Sequence, residues 1–155
     1  MERLTQHPWL VWHILFSLLS YVAFLLACIS GVLFLIQERQ LKAKHMGRLF
    51  HSLPSLAGLD RTNLIAIAVG FILFTLGLLC GIAGQFMSFG RWMSLDPKEG
   101  LAYGTWCAYA LLLIVRWLST LRGRKVALLS ILGFSLVLLT WFGIRAVLPS
   151  WHAYL

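Results

Sequence analysis

Two histidines, His13 and His152, and the stretch Phe89-Gly90-Arg91-Trp92-Met93-Ser94-Leu95-Asp96-Pro97-Lys98-Glu99 are the parts of this sequence whose residue types could do chemistry. His13 follows Trp9 by four residues, which puts both on one face of a helix. His152 follows Pro149 and Trp151 at the far end of the chain. A neutral imidazole is a ready ligand for iron and other metals, and two facing each other across a helix bundle would give a six-coordinate haem. They fall short of the four ligands of a structural zinc site. The plainer reading is a pair of interfacial histidines satisfied by water or headgroups. The 89–99 stretch reads by residue type as an interfacial turn leading into a helix. Asp96 is its N-cap, Pro97 takes the first helical position and Glu99 reaches back to the cap.

The remaining candidates are weaker. His45 and His51 lie in a basic connection with no partner ligands in the sequence. Cys28, Cys80 and Cys107 each fall inside an apolar run and read as small packing residues. There is no Cys-x-x-Cys-His, so any haem would be held without covalent attachment.

The elements that must position these residues are hydrophobic helices. The 155 residues are 60% hydrophobic and only 12% charged, with a mean hydropathy of +0.85. Soluble domains carry about 25% charged residues. Four runs lack Asp, Glu, Lys and Arg: Leu4 to Gln37, Thr62 to Gly90, Gly100 to Val115 and Val126 to Ile144. A span needs about 20 mainly apolar residues. Three runs qualify directly, and the third does so once its capped entry and a snorkelling Arg116 are included. Met1 to Gln6 has too little positive charge, before too long an apolar run, to read as a cleaved signal peptide. The expected fold is an all-α integral membrane protein. It forms a single transmembrane domain over 1–155, with spans near 9–36, 64–87, 98–117 and 126–147 and an external loop at 88–99.

The net charge of +8 could indicate nucleic acid, but the basic residues sit mostly between apolar runs. Nine of the 13 fall in two connections: Arg39, Lys42, Lys44, Arg48 and Arg61 in one, Arg116, Arg122, Arg124 and Lys125 in the other. Arg3, Arg91, Lys98 and Arg145 lie on the opposite side. The positive-inside rule puts the two basic connections in the cytoplasm, with both termini and the 88–99 loop outside. His13 and His152 then share a membrane depth. The partners are the lipid bilayer and further membrane subunits, not nucleic acid. Small-residue stripes, Gly70, Gly77, Gly81 and Gly84 on the second span and Gly100, Gly104 and Ala108 on the third, let helix backbones approach closely in lipid.

The order of these features resembles the cytochrome c assembly family of haem-handling membrane proteins, the CcsA, CcmC and HemX group. The outer loop of that family follows W-G-x-x-W-x-W-D, often continued P-K-E, between two haem-ligating histidines, and here it reads F-G-R-W-M-S-L-D-P-K-E. Further matching pieces are Trp9-Leu10-Val11-Trp12-His13, Leu59-Asp60-Arg61-Thr62-Asn63, Thr105-Trp106 with Tyr109, Arg122-Gly123-Arg124 with Gly133-Phe134, and Trp151-His152-Ala153-Tyr154. The resemblance implies that His13 and His152 ligate the iron of a non-covalent, b-type haem, and that Phe89, Trp92 and Asp96 belong to the loop that cradles it. It also implies a bacterial-type inner membrane, other cytochrome c assembly proteins as partners, and an apocytochrome c as acceptor.

The departures from the pattern are specific. Met93 and Leu95 replace two loop aromatics and Phe89 replaces the first, so Trp92 alone is tryptophan. Haem-conducting members carry a histidine shortly before the arginine of the third span, where this chain has Ile114 ahead of Arg116. Longer members also have upstream helices bringing another membrane histidine, and this chain starts after them. The expectation is a reduced member that presents haem at the outer face through His13 and His152. The competing expectation is a structural or regulatory, HemX-like subunit of a larger complex. A transporter is disfavoured because no charged residue lies at a span centre. No general acid, base or nucleophile is positioned inside the membrane, so independent catalytic activity is not expected.

Overall fold

The computed structural model describes residues 8–44, 54–90, 97–118 and 122–139. Four helices account for nearly all of them: α1 (Pro8–Lys42), α2 (Leu56–Phe89), α3 (Pro97–Leu118) and α4 (Arg124–Leu138). Among the described residues, three segments are long and apolar enough to cross a membrane, Trp9–Lys42, Leu56–Ser88 and Glu99–Leu118, which makes this a multi-pass integral membrane protein. The fourth expected span, 126–147, runs past the described residues. Its first part is helix α4, which begins with Arg124 and is described through 15 residues.

Two helices extend beyond the expected spans, for local reasons. α1 continues to Lys42 because no Gly or Pro falls between Gln37 and Lys42 and Lys42 Nζ donates to Glu38 Oε1 at 2.7 Å, an i,i+4 pair on its last turn. α2 starts before Asp60, because Ser55 caps it: the Ser55 hydroxyl accepts from Gly58 N–H at 3.2 Å. At the other end, Gly90 adopts φ 64°, ψ 17° and its N–H donates to the Phe86 carbonyl at 2.8 Å, the left-handed termination that glycine adopts freely. α3 starts at Pro97, the position expected for a proline at the first helical turn.

α1 packs antiparallel along α2, and the glycines of α2 are the sockets. Built on Gly70, a Cβ would stand 2.8 Å from the Phe24 ring; on Gly77, 3.0 Å from Ser17 Oγ; on Gly84 it would overlap the Trp9 indole. Phe24, buried completely, stacks on Tyr109 of α3 with centroids 4.0 Å apart and meets Phe74 edge-on at 6.0 Å. Tyr109 in turn lies against Gly133 of α4. Phe24, Ile67, Phe74, Tyr109, Leu112, Val126 and Val137 thus form one core shared by all four helices.

A polar layer closes one end of this core. Asn63 Nδ2 donates to the Ala27 carbonyl at 2.6 Å and to Ser130 Oγ at 2.9 Å, with Asn63 and Ser130 both buried. One turn earlier on α2, Asp60 accepts from Arg116 Nη1 at 3.1 Å, from Arg116 Nη2 at 2.7 Å and from the Gly123 N–H at 3.0 Å. Arg116 therefore does not simply snorkel to the surface, as its place at the end of an apolar run implies. It is held in a two-toothed pair joining α3 to α2 and to the start of α4.

Candidate functional site

His13 lies one turn beyond Trp9 on α1, and both point at α2. Its Nδ1–H donates to the Gly77 carbonyl at 2.7 Å. A carbonyl can only accept, so this bond puts a proton on Nδ1, and in the neutral imidazole the lone pair is then on Nε2. Gly81 lies against the ring, its would-be Cβ 3.0 Å from Nδ1 and 3.1 Å from Cε1.

His13 lines a cleft of about 570 Å³ between α1, α2 and the start of α3, within the range of small-molecule and cofactor sites. Trp9, Tyr21, Phe74 and Tyr103 supply aromatic walls, and Leu10, Ile14, Leu18, Leu78 and Ile82 supply aliphatic ones. Ser17, Gln85, Ser88 and Glu99 are its polar members. Gln85 Nε2 donates to Glu99 Oε1 at 2.8 Å, which ties α2 to the first turn of α3 beside the cleft.

Of the five residues that the resemblance assigns to a haem site, His13 alone has a described side chain. Phe89 is the last residue of α2; His152, Trp92 and Asp96 lie outside the described residues, as do His45 and His51. Sequence reasoning missed Tyr21, Gln85 and Tyr103. A signal for Tyr21 was present: Trp9, His13, Ser17 and Tyr21 recur every four residues on one face of α1. Among the described residues no three His, Cys, Asp or Glu side chains converge as a metal-holding group. The donor set is one imidazole with a free nitrogen beside flat aromatic and aliphatic walls. With that set His13 would be one nitrogen ligand and the walls would pack on a flat, apolar macrocycle, a better match than to a bare metal ion.

The chain matches the family described as Cytochrome C assembly protein over residues 1–152. It is 33% identical to a Cytochrome c biogenesis protein CcsA of Prochlorococcus marinus, over 96% of this chain and 54% of the relative. Proteins with the same description in Nymphaea alba and Chlamydomonas reinhardtii are 27% and 28% identical, over 96% of this chain and 56% and 41% of their own lengths. The chain thus spans about half the length of the curated relatives it matches. No solved structure matches it.

Proposed function

The chain belongs to the cytochrome c assembly family, and from that membership we propose that it binds haem non-covalently at the extracytoplasmic face of a bacterial-type inner membrane. There it serves cytochrome c biogenesis. His13 is one iron ligand and His152 the other, with Phe89, Trp92 and Asp96 in the loop that closes over the porphyrin. The observation that carries this reading is the Nδ1–H bond of His13 to the Gly77 carbonyl at 2.7 Å. It orients the ring so that Nε2 is the nitrogen available as a ligand at an aromatic cleft.

Haem is the cargo in this reading, and the residues of the chain hold it. The aliphatic side chains of α1 and α2 exclude water, Trp9 and Tyr103 offer flat surfaces, and the basic connections keep the opposite end in the cytoplasm. Other membrane proteins of the assembly system are the partners, and an apocytochrome c bearing Cys-x-x-Cys-His is the acceptor.

The test is optical. The purified full chain, titrated with hemin in detergent, is expected to develop a Soret band characteristic of bis-histidine ligation. His13→Ala and His152→Ala should each weaken binding and convert the remaining spectrum to a five-coordinate type. A wild-type protein that stays haem-free after haem-replete expression and takes up no hemin would overturn the reading.

A further inference from the structure

The tautomer of His13 has a structural cause one turn away on α2. Side chains of an α-helix lean toward its N-terminus, so the side chain at one position covers the carbonyl four residues before it. The Gly77 carbonyl would lie beneath the side chain of residue 81, and residue 81 is glycine. That carbonyl has two lone pairs, one directed along the helix and one open to the side. The His13 Nδ1–H takes the open one at 2.7 Å. An alanine Cβ at 81 would stand 3.0 Å from Nδ1 and 3.1 Å from Cε1, so the ring would have to move by a few tenths of an ångström, directly at the hydrogen bond.

The neighbouring glycines do something different. Gly70 and Gly84 receive the apolar rings of Phe24 and Trp9, where a Cβ would disturb packing alone. Gly104 of α3 has nothing within 4 Å of a would-be Cβ.

We propose that Gly81 is a positioning residue for His13: by leaving the Gly77 carbonyl uncovered, it holds the imidazole in the Nδ1-protonated tautomer and presents Nε2 as the free nitrogen. What Nε2 binds rests on the haem reading above; the tautomer itself does not.

The experiment separates the two. Full-length protein labelled with ¹⁵N-histidine and reconstituted in lipid is examined by solid-state NMR, with His13 assigned by difference from His13→Gln. Wild type is expected to show a protonated Nδ1 and an unprotonated Nε2 at His13. Gly81→Ala is expected to populate the other tautomer and to weaken hemin binding about tenfold, the usual effect of losing a ligand's supporting hydrogen bond. Gly104→Ala should change neither. A wild-type His13 protonated on Nε2 overturns the proposal even if Gly81→Ala fails to fold, and so does a Gly81→Ala protein with an unchanged tautomer. The expected tautomer in a wild type that binds no hemin supports the positioning role and sinks the haem reading alone.

Discussion

At the scale of single residues, the polar atoms buried between these helices are unequal. His13 Nδ1, the Asn63 amide nitrogen and the Ser130 hydroxyl have partners, whereas the Asn63 amide oxygen and the Tyr109 hydroxyl, the latter on a side chain 1% exposed, have none among the described residues. A buried hydroxyl without a partner costs about 1–3 kcal/mol, and the Tyr109 ring contributes its stacking on Phe24 whether or not the oxygen is there. Tyr109→Phe is therefore expected to leave the thermal midpoint of the detergent-solubilised protein unchanged or to stabilise it by about 1 kcal/mol. A clear loss would show that the hydroxyl is hydrogen-bonded in the membrane. This scale was only half legible in the sequence. His13 was visible by residue type and by its four-residue spacing from Trp9, but its partner is a backbone carbonyl, which no letter of the sequence marks. Gly81 was visible only as one of several small residues, because its effect depends on which side chain of α1 lies opposite.

At the scale of elements, Asp60 joins three helices through one carboxylate, accepting from Arg116 of α3 and from the Gly123 N–H that opens α4. Gly123 has φ 69° and no capping side chain of its own, so Asp60 acts as a cap supplied from another helix. The pair is partly buried, with Arg116 10% and Asp60 18% exposed. Removing one partner leaves a poorly solvated charge behind. Asp60→Ala is expected to destabilise the protein by about 3 kcal/mol, and Asp60→Ala with Arg116→Leu should recover part of that loss because no charge is stranded. Thermal unfolding of the two variants decides it: equal losses would mean that the cap to Gly123, not the ion pair, is what matters. The helices themselves were legible, since charge-free runs mark apolar spans. Their ends were not, because Ser55 capping and the Glu38–Lys42 pair extend α1 and α2 into stretches that composition alone assigns to a loop. The Asp60–Arg116 link was hidden as well. Charges at the ends of spans were read as topology markers, and nothing in their spacing announces a contact across 56 positions.

For the whole molecule, the two polar layers define how it sits in a bilayer. Asp60 and Gly81 belong to the same helix, and the 1.5 Å rise per residue separates them by roughly 30 Å, the thickness of the hydrocarbon core. The Asp60–Arg116–Gly123 cluster is therefore expected to lie at one membrane surface and the Gln85–Glu99 end of the His13 cleft at the other. The ends of α1 and α3 and the starts of α2 and α4 lie toward the Asp60 end, and Arg39, Lys42, Lys44, Arg61, Arg116, Arg122, Arg124 and Lys125 lie there with them, which under the positive-inside rule favours the cytoplasm for that end. That surface is expected to be cytoplasmic and the histidine cleft external. In a variant with Cys28, Cys80 and Cys107 replaced by alanine, a single cysteine at Ser88, which is exposed beside the cleft, should react with a membrane-impermeant maleimide added to intact cells. A single cysteine at Lys44, exposed at the basic end, should react only after the membrane is opened. The reverse pattern would place the cleft in the cytoplasm, where it could not present haem to an exported apocytochrome, and labelling at neither site would mean that partner chains cover both surfaces.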